Sequence, residues 1–117
     1  MTIKIMAQDI ELIELIEIEH HYVNESLDIL LLDDKLQNDF VKDLTNAAPI
    51  SSRRIFSCHE ICIHYKNGEQ ERFITDGEYM ERIKDKTKFS LEMNKNLITK
   101  YWGISERDFC LKHGHKD

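Results

Sequence analysis

The chain has 117 residues, 41% of them hydrophobic and 32% charged, enough to bury about two thirds of its unfolded surface in one core and unlike a disordered tail or a fibre. Twenty-two acidic against sixteen basic residues leave a formal charge of −6, which excludes a nonspecific nucleic-acid coat, since that binding rests on an excess of base. The longest apolar run, Ile29 to Leu32, falls far short of the roughly twenty residues of a membrane span.

The segment after Met1 lacks a long apolar core and soon becomes acidic, so the expected location is the cytoplasm. Three cysteines, Cys58, Cys62 and Cys110, are an odd count and fit reduced thiols better than a disulfide framework. The charge is unevenly distributed. Residues 1–48 carry eleven carboxylates and three lysines, a net −8, and the remainder carries thirteen bases and eleven acids, a net +2. The lone proline, Pro49, sits near this shift. Neither part is large enough for a good core of its own, so a single domain over 1–117 is expected.

In chain order, Ile3 and Ile5 suit one side of a short strand. From Gln8 or Asp9 a helical pattern begins. At 100° per residue Leu12, Leu15, Ile16, Tyr22 and Val23 gather on one side, and Glu11, Glu14 and Glu17 form a row on the other. Glutamate and leucine favour the helix, while the isoleucines support a rival strand from Glu14 to Tyr22, in which Ile16, Ile18, His20 and Tyr22 alternate. Leu27 to Leu32 is too short for periodicity to separate a buried strand from a first helical turn. Asp33 and Asp34 are caps for a helix from Lys35 to Asn46 whose inner face is Leu36, Phe40, Val41 and Leu44, and Pro49 ends that segment.

Residues 55–66 alternate as a strand, with Ile55, Ser57, His59, Ile61, Ile63 and Tyr65 facing one way and Phe56, Cys58, Glu60, Cys62, His64 and Lys66 the other. Asn67-Gly68 predicts a two-residue hairpin turn, which sets Lys66 against Glu69, His64 against Glu71, Cys62 against Phe73 and Ile61 against Ile74. Asp76 suits the cap of a short helix carrying Tyr79, Met80 and Ile83. Ser90 suits the cap of a longer helix in which Leu91, Asn94, Leu97, Ile98, Tyr101 and Trp102 share an arc, with Gly103 after its end. Ser105 to Asp108 resembles a cap for a last short turn. The expected fold is α+β: a small antiparallel sheet containing a hairpin near 55–75, packed by N-terminal and C-terminal helices.

The candidate chemistries are few. Cys58 and Cys62 on a regular strand stand about 13 Å apart, too far to share a zinc ion, whose bonds to sulfur are about 2.3 Å. His113 and His115 lie near the end of the chain, and no metal or other cofactor is expected. The strand places Cys62 and His64 on one side with Glu71 across from His64, the best arrangement for a small thiol or metal-dependent enzyme. Residues Leu97 to Phe109 resemble the turn of a helix-turn-helix, but Glu106 and Asp108 would repel approaching phosphates, so direct nucleic-acid reading is not expected.

The acidic half carries the favoured reading. Glu11, Glu14, Glu17, Glu19, Asp28, Asp33, Asp34, Asp39 and Asp43 would make a field that attracts a basic protein, with Tyr22 or Trp102 as an apolar anchor. The obvious basic partners are nucleic-acid-binding proteins and nuclease toxins, whose groove spaced carboxylates can fill in place of phosphates. In size and charge style the chain resembles immunity proteins and DNA-mimic inhibitors. A noncatalytic binder that occludes such a partner is therefore expected. The competing readings are the Cys62/His64/Glu71 enzyme and a structural subunit or adaptor whose acids only maintain solubility.

Overall fold

The computed structural model describes residues 5–17, 29–50, 55, 59–90 and 97–103. A 3-10 turn, Ala7–Asp9, leads into β1 (Ile10–Glu17), then β2 (Ile29–Leu31) and α1 (Asp34–Thr45). Then come β3 (Ala48–Pro49), β4 (His59–Tyr65), β5 (Gln70–Thr75), β6 (Tyr79–Arg82), β7 (Lys88–Ser90) and α2 (Leu97–Trp102). The strands form one seven-stranded sheet in the order β2-β1-β4-β5-β6-β7-β3, antiparallel at every pairing. No helix among the described residues is long and apolar enough to cross a membrane.

The helix expected from Asp9 is instead a strand. Its apolar residues satisfy a helical period, yet they also suit a strand bonded on both edges. Ile13 and Leu15 point inward and are buried, while Leu12, Glu14 and Ile16 are half-buried on the outer face. β1 hydrogen-bonds to β2 on one side and β4 on the other. This tertiary pairing, together with the β-branched isoleucines, overrides the preference of glutamate and leucine for helix. The register slips between Ile10 and Leu12, so Glu11 is the extra residue of a bulge, where strands bend and twist more strongly. The rival strand reading starts four residues too late, and its stretch from Ile18 to Tyr22 lies outside the described residues, as does Ile3.

α1 obeys local signals closely. Asp33 adopts extended backbone (φ −64°, ψ 148°), and its Oδ1 accepts the Lys35 N–H at 2.8 Å, relieving one of the unpaired donors at the helix start. Phe40, Val41 and Leu44 are buried and Leu36 is half-buried, as their spacing requires; Gln37 is buried beside them. The short strand β3 lies at one edge of the sheet, where a proline removes no needed ladder donor.

The hairpin is where the spacing predicts it, but its loop is one residue longer. Tyr65 N–H donates to Glu69 O, and Gly68 N–H donates to Tyr65 O, both at 2.9 Å. Lys66, Asn67 and Gly68 therefore form a three-residue loop. Gly68 takes φ +94° while Asn67 does not enter the positive-φ region, and the Asn67 side chain accepts the Glu69 N–H instead. This is the turn-plus-bulge loop rather than the two-residue turn, which needs positive φ at both positions. As a result Cys62 opposes Arg72, Ile63 opposes Glu71, Ile61 opposes Phe73 and His64 opposes Gln70.

A further expectation changes at tertiary level. Asp76 does cap, accepting the N–H groups of Glu78 and Tyr79, each at 3.0 Å, but the element it opens is the strand β6 and not a helix. The buried Thr75 hydroxyl closes the same turn by donating to Tyr79 O and accepting the Gly77 N–H. Ser90 ends β7, paired with Tyr79 and Ala48; the residues that follow it, 91–96, lie outside the described residues. α2 is described from Leu97, and Gly103 after it takes φ +76° with its N–H directed at Ile98 O and Thr99 O, the left-handed termination that glycine permits. Leu91 and Asn94, and the turn at Ser105 to Asp108, lie outside the described residues.

Inward residues of five strands, among them Ile13, Leu15, Ile61, Ile63, Phe73, Met80 and Phe89, share one core with Phe40 and Leu44 of α1 and Leu97, Ile98 and Tyr101 of α2. The α+β class rests on these two helices and the sheet. Their arrangement differs from that expected, because the N-terminal element is part of the sheet.

Candidate functional site

In an antiparallel ladder directly opposed residues share a face, and side chains alternate along each strand. Glu14 opposes Cys62, Leu12 opposes His64, and His64 in turn opposes Gln70. The outer face thus gathers Glu14 from β1, Glu60, Cys62 and His64 from β4, and Gln70 and Arg72 from β5.

These side chains form one chain of polar contacts. Glu14 Oε1 lies 2.7 Å from His64 Nε2. Gln70 Nε2 lies 3.3 Å from His64 Nδ1, and Gln70 Oε1 accepts from Arg72 at the same distance. Arg72 also donates to Glu60. Because Gln70 gives its oxygen to a guanidinium, which can only donate, its amide NH2 faces His64 Nδ1. That order assigns the His64 proton to Nε2, directed at Glu14.

Cys62 lies inside this arrangement and is only 1% exposed. Burial pushes its thiol pKa up; Arg72 opposes the shift, while Glu14 and Glu60 add to it. A thiol so placed stays protonated at neutral pH, the reverse of what a nucleophilic cysteine needs. The carboxylate O of Glu14, the sulfur of Cys62 and a ring nitrogen of His64 all lie within 4.8 Å of one another.

The expected grouping of Cys62 and His64 with Glu71 does not form. The three-residue hairpin loop shifts the register by one, which sends Glu71 to the opposite face beside Ile63. There Arg82 Nε lies 3.1 Å from Glu71 Oε2, an ion pair without hydrogen-bond alignment. Glu14 takes the place beside His64. It is legible in the sequence as one of the acids but not as a neighbour of β4, because only the pairing of β1 with β4 brings it there.

The acidic residues divide. Asp33, Asp34 and Asp39 are exposed on α1. Asp43, on the same helix, is half-buried, accepts from the Tyr101 hydroxyl, and lies 3.2 Å from Lys100 Nζ. Glu11 is exposed at the bulge. Glu14 is on the outer sheet face, whereas the buried side of α1 joins the inner one, so these carboxylates do not share a surface. Glu17 ends β1, and Glu19, Tyr22 and Asp28 lie outside the described residues. Trp102 is half-buried, its ring edge-on to Phe40 and Tyr101 at 5.7 and 6.3 Å.

A cavity of about 410 Å³ opens near the start of β1. Ile5, Met6 and Tyr65 supply apolar wall, and Asp9, Glu69 and Glu71 supply carboxylates, with Lys66 the base among its lining residues. Burial, then the charge of Glu71, push the Tyr65 pKa up to about 12, with Asp9 and Glu69 adding and Arg82 opposing. A tyrosine whose pKa is raised on folding contributes stability below its unfolded value of about 10, and that contribution is lost as pH rises toward the folded value. Urea unfolding at pH 9 and pH 11.5 should therefore show a larger loss for wild type than for Tyr65→Phe. Equal losses would place Tyr65 in water.

No known family matches the chain, and no curated protein or solved structure matches it either.

Proposed function

We propose that this chain is a noncatalytic binding protein that occludes a basic partner, of the kind represented by nucleic-acid-binding proteins and nuclease toxins. The observation that carries the reading is the segregated charge: a net −8 over residues 1–48, with Asp33, Asp34 and Asp39 exposed on one helix. Among the described residues no ion pair engages these three. Glu14 and Asp43 have internal partners, so the attracting surface is narrower than the full set of acids and centres on α1. The cavity beside Asp9 and Glu69 offers carboxylates over an apolar wall, which suits the stem and head of a lysine or arginine. A cytoplasmic location suits such a partner.

The test uses a panel of basic nucleases and nucleic-acid-binding proteins of unlike fold, with binding measured as salt is raised from about 0.01 M to about 0.15 M. Over that range the Debye length falls from about 30 to about 8 Å, so an association steered by charge should weaken steeply. Asp34→Asn with Asp39→Asn should slow association about tenfold or more, while Asp33 is left in place because it caps α1. Affinity that is insensitive to salt and to these substitutions would overturn the reading in favour of an adaptor.

A further inference from the structure

We infer that Glu14, Cys62 and His64 form a binding site for a thiophilic divalent cation of the zinc class. Three kinds of ligand atom meet here, a thiol sulfur, an imidazole nitrogen and a carboxylate oxygen, all within 4.8 Å of one another. Zinc binds these at about 2.3, 2.0–2.1 and 2.0–2.2 Å, so ligand atoms around a tetrahedral ion lie about 3.3–3.7 Å apart. Side-chain rotations of about an ångström close the difference. The ligands come from adjacent paired strands, with Glu14 directly opposite Cys62, so the frame holding them is rigid. Calcium and magnesium are disfavoured, since they need six or more oxygens and this site offers one carboxylate.

The charges also balance. Glutamate, thiolate and neutral imidazole cancel the two charges of the ion, and the neighbouring Arg72–Glu60 pair is neutral as a unit. On binding, the Cys62 proton leaves to solvent. The His64 proton moves from Nε2 to Nδ1, and the Gln70 amide turns so that its oxygen receives it, giving up its contact with Arg72 while Arg72 keeps Glu60. A hydrogen-bonded partner on the far nitrogen is the usual support of a metal-binding histidine, and Gln70 already stands at that position, 3.3 Å away. The side chains of His64 and Glu14 are 26% and 22% exposed while Cys62 is buried. The fourth coordination position thus faces solvent, and water or a small ligand would occupy it.

The test is titration of the full chain with cobalt(II). A Cys58→Ser/Cys110→Ser chain leaves Cys62 as the single thiol. One equivalent should bind with a sulfur-to-cobalt charge-transfer band, and zinc should displace it. Glu14→Gln and His64→Gln, both at partly exposed positions, each remove a ligand and should weaken binding by at least the roughly hundredfold that loss of an outer-shell partner can cost while circular dichroism stays native. Cys62→Ser should abolish the band, but it removes a buried group, so the two partly exposed variants decide. A folded Cys62-only chain without the band at saturating cobalt overturns the inference. So does a band that survives both Glu14→Gln and His64→Gln unchanged.

Discussion

Phe40→Ala should lower the unfolding free energy by about 3–5 kcal/mol, the usual range for truncating a buried phenylalanine. Phe40 is 0% exposed and does more than fill space. Its ring meets Tyr101 edge-on at 5.1 Å and 80°, and Trp102 at 5.7 Å and 74°, so it supplies the aromatic contact of α1 with α2, beside the polar contacts of Asp43 with Lys100 and Tyr101. Truncation removes the transfer energy of the ring, opens a cavity and leaves the Tyr101 and Trp102 rings without this edge-to-face partner. Domains of this size are stable by only about 5–15 kcal/mol, so the variant should be marginal, with its urea midpoint moved far toward zero. Phe40→Leu should recover a large part of the loss. A fall below about 1 kcal/mol for the alanine variant would mean that the helices do not meet through this ring.

Arg82→Met should cost about 2–4 kcal/mol for a different reason. Arg82 and Glu71 side chains are only 13% and 17% exposed, and removing one partner of a poorly hydrated pair leaves the other charge uncompensated. The magnitude is set a little below that of a fully buried pair, because water still reaches both groups and Asp85 shares the guanidinium at 3.5 Å. The combined Glu71→Gln/Arg82→Met variant should recover about 1–3 kcal/mol of the single loss. The cycle is read by urea unfolding of all four proteins. Strict additivity would show that the two charges act independently. The same result bears on function, since a Glu71 bound to Arg82 is not available to His64.

The contrast between α1 and β1 explains how much is legible in the chain. α1 is set by interactions within a dozen residues: the Asp33 cap, the spacing of Phe40, Val41 and Leu44, and the turn at Asn46 before Pro49. All of these can be read from the chain alone. β1 is set by partners that lie far away in sequence. Its repeating Ile-Glu-Leu pattern fits a helix face and a strand equally well, and the pairing with β2 and β4 decides between them. The candidate site inherits that ambiguity. Cys62 and His64 are legible as neighbours on one strand face, because alternation is local. Their carboxylate is not, since it is the pairing of β1 with β4 that brings Glu14 to that face and the β4–β5 register that sends Glu71 to the other.

The hairpin shows how small the deciding step is. Asn67-Gly68 marks the turn from sequence, but whether the loop holds two residues or three depends on whether Asn67 itself takes positive φ. It stays out of that region and uses its side chain to bind Glu69 N–H, and the resulting single-residue shift exchanges the faces of all β5 side chains relative to β4. Composition, the charge split, the α1 cap and the strand alternation around Cys62 were thus determined by sequence, because each depends on residue chemistry or on neighbours a few positions apart. The strand state of β1 and β6, the cross-strand register and the meeting of Glu14 with His64 were decided by tertiary structure. Strand hydrogen bonds are completed by another strand, and no local preference specifies which one.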